Sequence, residues 1–242
     1  MRLDKLLAHA GYGSRKDVKA LIKKGRVSLN GELAKNPEVH VNPDTDIVLA
    51  DGEKAEYVKY VYLLMNKPAG GISATTDPHG QDKTVSDLAF ELTGVWGLFP
   101  VGRLDKDATG LLILTNDGIL GHRATSPKKN ADKVYAVEVS GELTERDILA
   151  FKERIKLDDG YLCREAFLEI MSSGLVSRAL VTLTEGKFHQ VKRMFQALGK
   201  SVISLKRVSF CGIELPEDLP EGECRPLTEV ELGKIAHLLA EE

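Results

Sequence analysis

The sequence predicts an α+β protein with two domains: a small N-terminal domain, and a larger domain built on a mainly antiparallel mixed sheet with flanking helices. Its 242 residues, 43% of them hydrophobic, are enough to form more than one core. Two helical patterns come first, whereas most of the remaining chain consists of strand patterns joined by tight turns, with few helices. A polar stretch over residues 51–56 is predicted as the linker, which places the domains at residues 1–56 and 57–242.

The small domain begins with two short helices. Apolar residues recur at helical spacing over residues 3–10, and Ser14 is a good N-cap for a second helix that ends at Gly25. Residues 26–29 alternate as a strand and lead into Asn30-Gly31, the strongest short signal for a type I′ hairpin. A further strand over residues 46–49 is expected to complete the domain.

The first 26 residues carry a strong positive charge, although the whole chain has a formal net charge of -3. Two acids, Asp4 and Asp17, face eight bases. The bases are Arg2, Lys5, Arg15, Lys16, Lys19, Lys23, Lys24 and Arg26. Such a cluster can bind a phosphate backbone by counterion release, whereas many charge runs are only solvated helix faces.

The larger domain is predicted to contain strands over residues 58–65, 133–139, 166–171 and 178–184, and helices over residues 85–92, 144–154, 189–198 and after Thr228. Residues 75–83 are predicted as an exposed loop, and Asp159-Gly160 as a hairpin turn. The helix over residues 189–198 buries one side and carries His189, Lys192, Arg193 and Gln196 along another, which makes a second basic patch.

One stretch, residues 102–118, combines charge with a buried element. An arginine and two carboxylates precede the apolar run Leu111–Leu114, and Asn116-Asp117-Gly118 closes the stretch with a turn signal. A charged loop that enters a buried strand can hold a reactive side chain at the rim of a sheet, and the alternative is an ordinary surface turn.

Several classes of site lack their sequence signals. No metal-ligand spacing, phosphate-binding glycine loop or nucleophile elbow occurs, so we expect neither a metal nor a cofactor. The cysteines Cys163, Cys211 and Cys224 are odd in number and far apart, which indicates reduced thiols and a cytoplasmic protein. Neither a signal peptide nor a run of membrane-spanning length is present, and we expect no membrane partner.

Two sets of motifs resemble known families. Ser14-Arg15 and the segment over residues 23–31 resemble the signatures of the S4 RNA-binding module. Residues 102–118 resemble motif II of the pseudouridine synthases, residues 66–70 their motif I, and residues 185–195 their motif III, in the branch with an N-terminal S4 domain. The rival interpretation of Asp105-Lys106-Asp107-Ala108-Thr109 is the loop of aspartyl phosphotransferases, which requires a parallel sheet that the strand patterns do not favour.

The resemblance to pseudouridine synthases implies roles for single residues. Asp105 would be the essential aspartate, and Lys192 would supply the cation that keeps it ionised in a buried pocket. Tyr135 would stack on the target base and assist proton removal at C5. Arg103 would contact the backbone of a flipped nucleotide, and Leu205 would pack on the uracil. Most branches have arginine where Lys192 lies, so we expect a looser pair here.

The same resemblance implies the partner. Residues expected to contact RNA elsewhere are Arg2, Ser14, Arg15, Lys23, Lys24, Arg26, His189 and Arg193. The motif III segment His-Gln-Val-Lys-Arg-Met-Phe resembles the branch acting on 16S ribosomal RNA, which implies isomerisation of one uridine of the position-516 type, in free RNA or the assembling small subunit, by a monomer. The alternatives are a 23S ribosomal RNA substrate, or a non-catalytic RNA-binding or ribosome-assembly protein. Asp107, Asn116 and Asp117 are interpreted as loop and turn residues.

Overall fold

The computed structural model describes residues 1–126 and 131–239. The small domain packs two helices on a four-stranded antiparallel sheet of order β2-β1-β3-β4. Its elements are α1 (Leu3–His9), α2 (Arg15–Lys23), β1 (Val27–Leu29), β2 (Glu32–Leu33), β3 (Val48–Ala50) and β4 (Glu53–Lys54). Leu6 of α1, Val18 of α2 and Val27 of β1 belong to its core.

The local signals of this domain form the predicted structures. The hydroxyl of Ser14 accepts a hydrogen bond from the N–H of Asp17, and the Asp17 carboxylate accepts one from the N–H of Ser14, so both ends of a capping box are present. Asn30 and Gly31 both have positive φ, of 52° and 88°, as a type I′ turn requires.

The prediction of a plain linker over residues 51–56 is wrong. Asp51 and Gly52 form a second tight turn, with φ of 54° and 85°, and β4 returns alongside β3. Polar composition alone does not separate a linker from an exposed edge strand, because neither buries apolar side chains. The division at residue 56 stays a prediction.

The larger domain contains a nine-stranded sheet whose main path is β13-β5-β7-β11-β8-β10-β9, with β6 paired to β7 and β12 paired to β11. Within the described residues every pair of strands in this sheet is antiparallel except β7 with β11, which confirms the α+β class and the mainly antiparallel mixed sheet. The strands are β5 (Tyr62–Lys67), β6 (Phe99–Pro100), β7 (Thr109–Thr115), β8 (Lys133–Ser140), β9 (Phe167–Ser172), β10 (Val176–Leu183), β11 (Val202–Phe210), β12 (Ile213–Glu214) and β13 (Cys224–Pro226). The helices are α3 (Val85–Thr93), α4 (Gly118–Thr125), α5 (Glu145–Lys152), α6 (Gln190–Ala197) and α7 (Glu229–Leu239).

Strand β7 is buried on both faces. Leu112 and Leu114 join the cluster that contains Phe195 of α6, whereas Leu111 and Ile113 join the cluster that contains Leu120 of α4. Side chains alternate between the faces of a strand, so a strand covered on both sides is apolar at consecutive positions. This explains the unbroken apolar run that the sequence presents here.

The parallel contact between β7 and β11 depends on Gly110. A Cβ at this position would lie 2.3 Å from the carbonyl oxygen of Arg207, and Gly110 has a φ of 100°. Only glycine allows the two backbones to approach so closely. The approach pairs Lys206 and Arg207 of β11 with Thr109 and Gly110, the first residues of β7 after the charged loop.

Two turn predictions in the larger domain are incomplete. Asn116-Asp117-Gly118 is not only a turn, because Asp117 caps α4 by accepting hydrogen bonds from the N–H groups of Ile119 and Leu120. Asp159-Gly160 turns the chain, but it joins no pair of named strands and closes only an isolated bridge between Lys156 and Leu162.

Candidate functional site

A cavity of about 1090 Å³ is lined by residues from two of the three motifs of the larger domain, those over residues 102–118 and 185–195. Arg103 and Asp105 enter it from the β6–β7 loop, Tyr135 from β8, Leu205 from β11 and His189 from the N-terminus of α6. Tyr135 and Leu205 are each 8% exposed and form an apolar part of the cavity wall, whereas Arg103 is exposed. Residues that are up to about 100 positions apart in the sequence therefore line one site.

Lys192 lies between two carboxylates. Its Nζ is 3.3 Å from Oδ2 of Asp105, and it donates hydrogen bonds to Oδ1 and Oδ2 of Asp107 at 2.6 and 2.8 Å. The side chain of Asp105 is 24% exposed and that of Asp107 74% exposed, so Asp105 is the carboxylate that faces the protein. The expected cation is present beside Asp105, and it is shared with Asp107.

This sharing affects the protonation of the lysine. Burial opposes the charge of Lys192, but its hydrogen bond to Asp107 and the charge of Asp105 outweigh burial and raise the pKa of Lys192. The hydrogen bond from Lys192 in turn lowers the pKa of Asp107. Interpreting Asp107 as a plain loop residue therefore missed its contact. The only hint in the sequence is its position two residues after Asp105.

His189 lies near the other carboxylate oxygen of Asp105. Its Nε2 is 3.6 Å from Oδ1 of Asp105, and its ring stacks on the exposed ring of Phe188 with centroids 3.8 Å apart. His189 has a φ of 49°, in the left-handed region that non-glycine residues seldom adopt. Such backbone strain is typical of functional sites, where the surrounding structure holds it in place.

Buried hydrogen bonds hold the segment before α6 in place. The Glu185 carboxylate accepts hydrogen bonds from the Tyr161 hydroxyl at 2.7 Å, the N–H of Arg164 at 2.9 Å and Nε2 of Gln190 at 2.7 Å. Burial opposes its charge, but these hydrogen bonds outweigh burial and lower the pKa of Glu185. This anchor positions His189 and the start of α6.

Lys67 binds the backbone of the charged loop that contains Asp105 and Asp107. This side chain is fully buried, and its Nζ donates to the carbonyl oxygens of Pro68 at 3.0 Å, Lys106 at 3.3 Å and Ala108 at 2.8 Å. Burial lowers its pKa to about 8, although the charges of Asp107 and Asp105 act in the opposite direction. The sequence patterns assigned no role to Lys67, because a lysine next to a turn is usually solvated.

Several residues expected to contact RNA have partners within the protein. Arg2 pairs with Asp4 and Glu38, Arg26 with Asp51, and Arg193 with Asp158 and Asp159. Ser14 is occupied as the cap of α2. By contrast Arg15, Lys23 and Lys24 are exposed and form no salt bridge within residues 1–126 and 131–239.

The described part of the chain contains no group of three or more histidine, cysteine, aspartate or glutamate side chains that could hold a metal ion. None of the helices in the same residues is both long and apolar enough to cross a membrane.

Comparisons with known proteins agree with this architecture. The profile of the RNA pseudouridylate synthase family matches residues 61–197, and that of the S4 domain matches residues 1–47. The chain is 46% identical over 242 residues to the uncharacterised RNA pseudouridine synthase YtzG of Bacillus subtilis, covering 100% of this chain and 99% of that one.

Relatives with a stated ribosomal subunit include proteins of both kinds. The ribosomal small subunit pseudouridine synthase A of Escherichia coli is 34% identical over 97% of this chain and 100% of its own. The ribosomal large subunit pseudouridine synthase B of Bacillus subtilis is 37% identical over 98% and 96%. A crystal structure of a pseudouridylate synthase superposes with a TM-score of 0.66 at 34% identity, covering 97% of this chain and 99% of that one. The chain therefore belongs to the RNA pseudouridine synthases, in the branch whose members carry an N-terminal S4 domain.

Proposed function

We propose that this enzyme converts one uridine of 16S ribosomal RNA, of the position-516 type, to pseudouridine, with Asp105 as the essential carboxylate. The observation that carries the proposal is the place of Asp105. It lies with a cation 3.3 Å away in a cavity that Tyr135, Leu205 and His189 also line. An ionised carboxylate in a mostly buried site needs such a cation to offset its desolvation.

The reaction breaks the bond between C1′ and N1, turns the uracil and joins C5 to C1′, so it involves no net oxidation or reduction. Asp105 either adds to C1′ or removes a proton from C2′, and both routes require its ionised form. Lys192 favours that form by its charge. Tyr135 stacks on the base and assists loss of the C5 proton, and Leu205 packs against the uracil.

The target nucleotide must leave its stack to reach Asp105. Flipping costs a few kcal/mol, least in single-stranded RNA, and the enzyme must recover this cost by contacts in the cavity. Arg103 suits this task, because it is exposed and its side chain forms no hydrogen bond or salt bridge within residues 1–126 and 131–239. An arginine can both bind phosphate and stack on a base.

Two features support ribosomal RNA as the partner. The exposed cations Arg15, Lys23 and Lys24 lie on or beside α2 of the S4 domain, where they form no salt bridge with a carboxylate of the described residues. The motif III segment after His189 favours the 16S branch, while relatives of both ribosomal subunits are similarly close in identity. We expect the enzyme to act as a monomer in the cytoplasm.

Tritium release from C5-labelled uridine tests the proposal. Wild-type protein should release tritium from a 16S fragment and not from a 23S fragment, and Asp105→Asn should abolish the release. Asp82→Asn is the matched control, because Asp82 is a carboxylate that pairs with Lys106 outside the Asp105 contacts. Release from the 23S fragment alone would favour the large-subunit substrate. Binding without release from either would favour a non-catalytic RNA-binding protein.

A truncated protein that starts at residue 57 tests the role of the small domain. We expect it to bind the 16S fragment more weakly, with a shallower dependence on salt, since several phosphate contacts are lost. Equal affinity at all salt concentrations would contradict an RNA-binding role for residues 1–56.

A further inference from the structure

Arg207 is a buried cation in the wall of the cavity. It lies on β11, lines the cavity and is 1% exposed. Its Nε donates to the carbonyl oxygen of Leu111 at 2.7 Å, while its Nη2 is buried and has no hydrogen-bond partner among the residues that the structure describes. It forms no salt bridge with any carboxylate in residues 1–126 or 131–239. A buried, unpaired N–H group of a charged side chain is costly, so the site lacks an acceptor.

A second cation lies next to it. Lys133 of β8 also lines the cavity, and its Nζ donates to the carbonyl oxygen of Ala131 at 2.7 Å. The Lys133 Nζ lies 5.4 Å and the Arg207 Cζ 4.6 Å from the centroid of the same Phe210 ring. Burial and the positive charge of Arg207 lower the pKa of Lys133. Two like charges are thus held together in a partly buried place.

The nearby carboxylates do not compensate this pair. Glu185 also lines the cavity, but its oxygens already accept three hydrogen bonds, from Tyr161, Arg164 and Gln190. The charges of Asp132 and Glu185 act to raise the pKa of Lys133, yet burial and Arg207 outweigh them. The positive charges of Arg207 and Lys133 would therefore be neutralised by an anion that enters the cavity.

We propose that Arg207 and Lys133 form a phosphate-binding subsite, which takes a backbone phosphate next to the uridine that enters the cavity. The sheet register places this subsite close to the base. Arg207 is paired across the strands with Tyr135 and lies two residues from Leu205 on the same strand. A guanidinium and an ammonium together offer the fork of donors and the point charge that suit a phosphate.

The proposal rests on the proposed function for the identity of the RNA. The competing explanation is that Arg207 is purely structural, because its Nε bond to Leu111 ties β11 to β7. The two explanations differ for Lys133, because its side chain donates to the carbonyl oxygen of Ala131 and makes no hydrogen bond between strands within the described residues. Removing Lys133 therefore tests the subsite without breaking that tie.

The first measurement is the salt dependence of binding to a 16S fragment, for wild type, Lys133→Met, Arg207→Met and the control Lys206→Met. Lys206 neighbours Arg207 on β11 but does not line the cavity. Loss of one phosphate contact to single-stranded RNA should reduce the slope of log K against log salt by about 0.7. We expect this reduction in Lys133→Met and Arg207→Met and none in Lys206→Met. If Arg207→Met does not fold, the salt slope of Lys133→Met by itself tests the subsite.

The second measurement does not depend on the isomerisation. In nitrogen-15 spectra of the full-length protein, the Arg207 Nε–H signal, identified by its absence in Arg207→Met, should shift with uridine 5′-monophosphate and not with uridine. Lys133→Met should weaken that shift. Unchanged salt slopes together with no shift from the nucleotide would overturn the subsite. A shift in a protein that forms no pseudouridine would refute the proposed function and leave the subsite standing.

Discussion

Lys192 is close to two carboxylates, and variants can establish whether its contact with Asp105 or with Asp107 supports the reaction. Replacing Lys192 by Met removes the cation that lies 3.3 Å from Asp105. At this separation the Coulomb energy is about 5 kcal/mol for an effective dielectric constant of about 20, and about 1.3 kcal/mol in bulk water. The Lys192 side chain is 25% exposed, so the loss should fall between these limits. The rate of the chemical step should fall by roughly ten-fold to a few thousand-fold.

The matched variant is Asp107→Asn. Asp107 is 74% exposed, and a pair with so exposed a carboxylate contributes only about 0.2–1 kcal/mol. Because the variant leaves Lys192 free to turn fully to Asp105, we expect its rate to stay within about three-fold of wild type. Lys192→Arg keeps the charge and should retain most of the activity.

Single-turnover tritium release from the labelled 16S fragment, with enzyme in excess, measures the chemical step for all three variants. A rate within three-fold of wild type for Lys192→Met would refute the role of the lysine. Equal losses in Asp107→Asn and Lys192→Met would show that the Asp107 pair is the important one.

Three further predictions concern stability and RNA contacts. Burial lowers the pKa of Lys67 to about 8 in the folded protein, compared with 10.5 for an ordinary lysine. Between about pH 8 and 10.5 the unfolded chain therefore keeps a proton on Lys67 that the folded protein has lost. The free energy of unfolding of wild type should therefore rise relative to Lys67→Met, by up to about 3 kcal/mol from pH 7 to pH 11, and a constant difference in urea titrations would contradict this. Gly110→Ala should lower the free energy of unfolding by several kcal/mol or prevent folding, because the new Cβ would lie 2.3 Å from a carbonyl oxygen of β11. The control Gly233→Ala, in open space on α7, should raise it by about 1 kcal/mol in the same titrations. Lys24→Gln should lower the slope of log K against log salt for the 16S fragment by about 0.7, and Arg193→Gln, whose guanidinium is already paired, should leave it unchanged; the reverse order would contradict the distinction.

Local patterns predicted most of the elements. The N-cap at Ser14, the Asn30-Gly31 turn and the helix after Thr228 all form as predicted, because each depends on residues only a few positions apart. The strand β11 and the helix α4 were not predicted. Strand β11 carries Lys206 and Arg207 in its middle, so its sequence lacks a regular apolar alternation. Helix α4 begins directly after Asn116-Asp117-Gly118, and Asp117 was interpreted as a turn residue although it is the N-cap of this helix.

The residues of the candidate site were predicted better than their contacts. Motif resemblance selected Asp105, Tyr135, Leu205 and Lys192 before any geometry, and all four lie at or beside one cavity. The salt bridges of Arg2, Arg26 and Arg193 were not predicted, because their partners lie up to 36 positions away or on another loop.

The sequence by itself determined the family, the two-domain order and the carboxylate expected to react, because these depend on residue types at fixed spacing. The tertiary structure alone decided which charges meet. Asp107 and Lys192 are 85 residues apart, the three carbonyl bonds of Lys67 require the loop to fold over it, and Arg207 becomes a buried cation only where Gly110 admits its backbone. The physical reason is that electrostatic interactions depend on distance and burial in space, which spacing along a chain does not specify.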